Sequence, residues 1–134
     1  MGLLKGKRPS GLGVHGGSFK PCSWKPNCVS STAEPSDDKH HVAPFAFKGS
    51  AEAAWKSLSS AVKGRERVTI VKDEPGYLYA EFASKGMGFV DDVEFALDAK
   101  AGVIQVRSAS RLGVRDFGVN RARVESLRRQ LDRG

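Results

Sequence analysis

Histidine is scarce in this chain and poorly placed for catalysis: all three imidazoles, at His15, His40 and His41, fall before residue 42. None lies near the serines and carboxylates of the C-terminal third, where it could activate a nucleophile. A G-x-S-x-G elbow and a glycine-rich phosphate loop are both missing. The two cysteines, Cys22 and Cys28, are too widely spaced for a C-x-x-C redox pair. They also leave no second pair to complete a zinc knuckle. Aromatic residues make up only 8% of the chain, and no aromatic-rich strand of the RNA-reading kind occurs. No apolar run approaches the roughly 20 residues needed to cross a bilayer. The opening MGLLKGKRPSGLGVHGG lacks the apolar stretch of a secretory signal, and Gly6 stands where N-myristoylation wants Ser or Thr. These absences predict a cytoplasmic chain with no transmembrane segment, no cofactor and no metal.

What is present suits one folded domain. The chain has 134 residues, 40% apolar and 28% charged, enough to bury a core. Its net charge of +7 is uneven: residues 1–30 carry five basic and no acidic side chains, 31–100 net −3, and 101–134 net +5. That asymmetry suits an anionic partner, and equally an internal match between the basic ends and the acidic middle. Residues 1–20, rich in Gly, Lys and Ser, read as a flexible basic arm, and residues 21–134 as a single α+β domain. Three states of the Cys22/Cys28 segment stand open: a small loop disulfide, two reduced structural thiols, or a mixed metal site with His40 and His41.

Residues 41–47 form a short extended segment, placed at an edge by Pro44. Ser50 is an N-cap for a helix to about Lys63, stopped by Gly64, with Ala54, Trp55, Leu58, Ala61 and Val62 on its apolar face. The period then changes from 3.6 to 2. Residues 67–72, 77–84, 89–97 and 103–110 read as four strands of an antiparallel meander with one buried face. The alternation specifies a register. Leu97 pairs with Ile104, Phe95 with Val106, Val93 with Ser108, and Asp91 with Ser110, while Glu94 faces Arg107 on the other side. The inward face therefore turns from apolar to polar along its length, and a polar pocket or clasp is expected at the Asp91/Ser108/Ser110 end, with Arg111 or Arg115 as partner of Asp91.

Asn120 is read as the N-cap of a last helix, with Val119 and Val124 as a hydrophobic staple and Asp116 as an alternative cap. Val124, Leu127 and Leu131 form its apolar stripe. The order strand, helix, four strands, helix gives an α+β fold: a five-stranded antiparallel sheet with two helices on one face. This layout resembles the TATA-box-binding-protein-like and helix-grip folds, a likeness that transfers no function.

The segments Pro26-Asn27-Cys28-Val29-Ser30-Ser31, Phe89-Val90-Asp91-Asp92-Val93-Glu94-Phe95, Arg107-Ser108-Ala109-Ser110-Arg111-Leu112-Gly113, Asp116-Phe117-Gly118-Val119-Asn120-Arg121 and Arg123-Val124-Glu125 together resemble the domain-of-unknown-function family numbered 1499, over about residues 21–131. The resemblance implies kinship with bacterial and plastid proteins, often with a signal, lipoprotein or membrane anchor ahead of the domain. It implies no activity. The short basic arm sets this chain apart from the anchored members, which weakens the case for export and for a disulfide.

Function is sought in the densest polar block. Asp91, Arg107, Ser108, Ser110, Arg111, Arg115, Asp116, Asn120 and Arg121 are the candidate binding residues for an anionic or polar small molecule, or for a protein partner. Arg111, Arg115, Asp116 and Arg121 are those least explained by folding. A hydrolase using Asp91 or Asp116 with Ser110 is one alternative. Nucleic-acid binding through the basic arm and last helix is another.

Overall fold

The computed structural model describes residues 5–133. Its described strands are β1 (Val14–His15), β2 (Ser18–Phe19), β3 (Cys28–Ser30), β4 (Phe45–Ala46), β5 (Val68–Glu74), β6 (Tyr77–Ala83), β7 (Val90–Asp98) and β8 (Val103–Ser110). Helix α1 (Ala51–Lys63) follows β4 and helix α2 (Val119–Arg133) follows β8. Strands β1 and β2 form a small hairpin. The other six make a mostly antiparallel sheet in the order β3-β8-β7-β6-β5, with β4 also pairing along β8.

The meander takes the register that alternation dictates. Asp91 pairs with Ser110, Val93 with Ser108, Glu94 with Arg107, Phe95 with Val106, and Leu97 with Ile104. Pro75-Gly76 closes the β5–β6 hairpin; Gly76 has φ +76°, which Gly after Pro supplies without strain. Ser50 caps α1, its side chain accepting from the Ala53 amide, and Gly64 ends it. Both helices pack on one face of the sheet. Leu58, Ala61 and Val62 of α1 and Val124 and Leu127 of α2 meet Leu78, Ala80, Val93, Phe95 and Val106 in a single core.

The sheet has six strands rather than five. Cys28–Ser30, flanked by turn-forming residues and only three long, carries no strand signal of its own; it is extended because β8 offers it an open edge. Ser31 fastens the join, its hydroxyl donating to Gln105 Oε1 at 2.7 Å and accepting from the Val106 amide at 2.8 Å. Below β3, Phe45 of β4 stacks on Phe95, with centroids 6.5 Å apart. Arg128 of α2 lies over the Phe45 ring and donates to the Ala43 and Pro44 carbonyls at 2.7 and 2.8 Å. Arg128 thus secures the edge strand, beyond any role at the helix dipole.

One further expectation is corrected, and one of the three states left open for the cysteines is met. The arm read as flexible is, over residues 8–20, laid across the second face of the sheet; residues 1–4 of that arm lie outside the described residues. Phe19 is buried, and the Gly13 amide donates to Glu94 Oε1 at 2.6 Å. As a result the face expected to meet water is covered: Glu94 is fully buried and Arg107 nearly so. The sulfurs of Cys22 and Cys28 stand at disulfide distance, with their Cα atoms 5.7 Å apart. His40 is bound to Asp37 Oδ2 at 2.8 Å and lies 3.0 Å from the Lys25 carbonyl. The mixed cysteine–histidine metal site is therefore not assembled, and no other metal-holding group occurs among the described residues.

Closing so short a loop removes chain entropy worth about 2 kcal/mol. Replacing both cysteines by serine should lower the urea unfolding free energy by about that amount, with the m-value unchanged or slightly raised as the denatured chain is freed. A stability equal to the parent's, with both cysteines of the parent reacting as free thiols, would rule the cross-link out.

Candidate functional site

The register sends four connections to one end of the sheet: residues 22–27 before β3, 64–67 between α1 and β5, 84–89 between β6 and β7, and 111–118 between β8 and α2. The last three enclose a groove of about 870 Å³. Its lip carries Phe89, Leu112, Phe117 and Val119, all largely exposed. Its floor is polar. Asp91 Oδ2 pairs with Arg123 Nη2 at 2.7 Å, and the Arg123 guanidinium lies 4.8 Å from the centre of the Phe82 ring. The expected polar clasp exists, then, but the cation that meets Asp91 is Arg123, not Arg111 or Arg115.

Asn120 is the hub of that clasp. Its Oδ1 accepts from Ser108 Oγ at 2.6 Å and from Arg123 Nη1 at 2.9 Å. Its Nδ2 lies 2.9 Å from Ser110 Oγ, 2.7 Å from Asp116 Oδ2 and 3.2 Å from the Asn27 carbonyl. The side chain is fully buried and tied on every side. Asn120 is not the N-cap. It lies inside the first turn of the helix, which Gly118 precedes, and Asp116 reaches that turn from outside, its carboxylate accepting from the Gly118 amide at 2.9 Å and the Asn120 amide at 3.0 Å. Val119, half exposed, makes no staple. The carboxyls respond oppositely to their surroundings. Burial raises Asp91 above the ordinary carboxylate range despite Arg123. Burial pushes Asp116 up too, but the amides of Asn120 and Gly118 outweigh it and the net shift is downward.

The remaining candidates divide by strand parity. Arg107 lies on the face opposite Ser108 and Ser110, beneath the arm, and Arg111, just past the end of β8, turns to the same side. Arg111 Nη2 meets Asp92 Oδ1 at 2.5 Å and Glu81 Oε2 at 2.7 Å, and its Nε reaches Asp92 Oδ2 at 3.0 Å. The hydrogen bond to Asp92 leads in raising the Arg111 pKa. Arg8 joins Glu81 at 2.8 Å, Tyr77 donates to Glu94 at 2.6 Å, and Tyr79 donates to Asp92 at 2.5 Å. Burial, then the bonds to Glu94 and Asp92, raise both phenols. Arg107 donates to the Lys20 carbonyl at 2.8 Å and faces Glu94 at 3.9 Å. Arg121 leaves the site altogether, donating to the His41, Asp38 and Lys39 carbonyls. Of the arginines proposed from sequence, Arg115 alone lines the groove with no ion pair among the described residues.

So Asp91, Ser108, Ser110, Asp116 and Asn120 converge; Arg107, Arg111 and Arg121 do not join them. Arg123 was missed. Its sign was its position three residues after Asn120, on the same face of the helix. A model of the family described as "Protein of unknown function (DUF1499)" matches residues 18–131. The chain belongs to that family. No curated protein and no solved structure matches it. The DUF1499 match takes in the clasp, the groove and the residue 22–28 loop together. Nothing in the clasp resembles a charge relay. Ser110 Oγ lies between the Asn120 amide nitrogen and the Asp91 carboxylate, with no imidazole beside it.

Two outcomes separate fold from site. Asn120→Ala strands several buried donors and acceptors and should cost about 2–4 kcal/mol, whereas Arg115→Ala should change the unfolding free energy by less than about 0.5 kcal/mol; chemical denaturation measures both. The second concerns pH. Burial pushes the Glu81 carboxyl up, but hydrogen bonds from Arg8 and Arg111 outweigh it, so its folded pKa is depressed. The stability it contributes is present above the unfolded value of about 4.3 and is lost as pH falls through the lower folded value. Below about pH 4 the arm should loosen at Arg8, and amides of residues 8–12 should lose hydrogen-exchange protection before the β6 and β7 amides do. Simultaneous loss would show that the arm is not held by these carboxylates.

Proposed function

We propose that this protein is a binding module that seats an amphipathic, anionic ligand in the groove at the open end of the sheet. One observation carries the reading. The groove pairs an apolar lip with a polar floor whose own groups are already satisfied, and it leaves the cations Arg115 and Lys85 at its rim. An apolar body over Phe82, Val90 and Ala122 would gain by leaving water, and an anionic head would meet Arg115.

The hydrolase alternative keeps in its favour the raised carboxyl of Asp91 and its contact with Ser110, but no imidazole joins them. The nucleic-acid alternative is weakened by the internal engagement of Arg8, Arg121, Arg123 and Arg128. The cysteine pair favours an oxidising compartment over the cytoplasm read from the sequence. No described helix is long and apolar enough to cross a membrane.

Titration with medium-chain alkyl carboxylates and with the matching alcohols, followed by calorimetry, tests the reading. Saturable binding of the carboxylate is expected, with the alcohol about tenfold weaker. Ala122→Trp, which fills the groove from an exposed position, should abolish it; absence of saturable binding, or binding untouched by Ala122→Trp, would refute it.

A further inference from the structure

Eight large apolar side chains are substantially exposed among the described residues, and seven of them lie at the same end of the sheet as the groove. Trp24 rides on the cysteine-closed loop, 70% exposed. Met87 and Phe89 lie on the β6–β7 turn, Leu112, Val114 and Phe117 on the β8–α2 loop, and Val119 opens α2. The eighth, Val14, is on the β1–β2 hairpin, beside the opposite end of the sheet. Scattered exposed apolar residues need no explanation, but seven gathered on neighbouring loops do.

Phe117 is the strongest sign. It is 87% exposed and has φ +55°, a left-handed conformation that a bulky side chain adopts only at a cost. Glycine or asparagine would fit that backbone better, and folding draws almost no burial from the ring. The side chain is placed for contact with something outside the chain.

Charge identifies the contact. Lys25, Lys85 and Arg115 stand on the same loops. The acids nearby are committed: Asp91 to Arg123, Asp116 to the α2 amides, and Glu66 to Arg67 at 3.4 Å. Lys7 and Lys20 continue the basic rim beside Lys25, around a smaller hollow of about 370 Å³. We propose that this end of the molecule docks on an anionic lipid membrane surface, with Trp24 and Phe117 inserted at the interface and the lysines and Arg115 against the headgroups. The apolar groups stand on three separate loops rather than forming one flat patch. Lipid can close around separate crests, whereas a protein partner would need a matching relief. Tryptophan and a basic rim are the side chains that interfaces of this kind select. The inference does not require the groove to be occupied.

Co-sedimentation with phosphatidylcholine vesicles, with and without about 30 mol % phosphatidylserine, tests the proposal. Binding is expected only to the anionic vesicles and should weaken with salt. The two tryptophans are Trp24, exposed, and Trp55, packed against the core. In a Trp55→Phe background, Trp24 emission should therefore shift blue on binding. Trp24→Ala with Phe117→Gly should lower partitioning by about tenfold or more. The same pair should leave the thermal midpoint unchanged or raised, because it removes the strained phenylalanine. Ala122→Trp should leave partitioning intact, and Trp24→Ala alone should leave alkyl carboxylate binding intact, so failure of the groove and failure of the docking end are told apart. No partitioning at low ionic strength, or partitioning retained by the double variant, overturns the proposal. So does a self-association that the double variant abolishes in a protein that ignores vesicles, which would make this end an interface between copies of the chain.

Discussion

Everything in this molecule depends on the pairing of β7 with β8. The two strands stay in step from Asp91 opposite Ser110 to Asp98 opposite Val103. Side chains alternate across a strand, so a slip of one residue would exchange the two faces of the sheet. One face carries Val93, Phe95 and Val106 into the helices; the other carries Asp92, Glu94 and Arg107 beneath the arm. A slip of β7 would turn Asp92 and Glu94 into the apolar core, and a slip of β8 would turn Arg107 there. Neither face tolerates the exchange, which makes the register strongly specified.

The covered polar face explains where much of the arginine charge goes. Arg111 spans Asp92 and Glu81, Arg8 closes on Glu81 from the arm, and the two tyrosines fill in behind. Buried ion pairs contribute little net stability, because desolvation offsets most of their attraction. Their effect here is on geometry. A carboxylate deprived of water must be met by donors, and several of the donors that meet these come from residues 8–20. Glu94 marks the limit: its Oε2 has no hydrogen-bond partner among the described residues, with Arg107 no nearer than 3.9 Å. The arm is thus held chiefly by polar demand, with Phe19 as its main apolar anchor, and that is why its sequence looked too polar to be ordered.

Local patterns in the chain carried the meander, both helices, the register and the location of the polar clasp. Alternation in β6, β7 and β8 is strong, and a single buried face is enough to read pairing from it. What escaped depended on contacts between distant segments. Cys28–Ser30 becomes a strand only because β8 has an edge to fill. The arm becomes ordered only because the meander presents buried carboxylates to it. Arg123 took the role expected of Arg111 for a simpler reason. At the end of β8 the chain still follows strand parity, which sends Arg111 away from Asp91, while the first turn of α2 brings Arg123 back over it.

That shift of role bears on where function resides. Of the nine polar residues singled out for chemistry, eight are engaged by the fold: as a cap, a hub, an ion pair or a clasp on a neighbouring loop. A group whose donors and acceptors are already satisfied has little to offer a ligand without first breaking an internal bond. The groups with capacity to spare are of another kind: Arg115 at the groove rim, and the apolar side chains of Trp24, Phe117, Leu112 and Phe89 that folding leaves in water. Polarity density in a sequence marks both sites and corners, because a buried turn needs as many hydrogen bonds as a ligand does. In this chain it makes a corner, and Asp91, Ser110, Arg115 and Asp116 of that corner also line the groove. The exposed, strained Phe117 beside it marks the face turned outward.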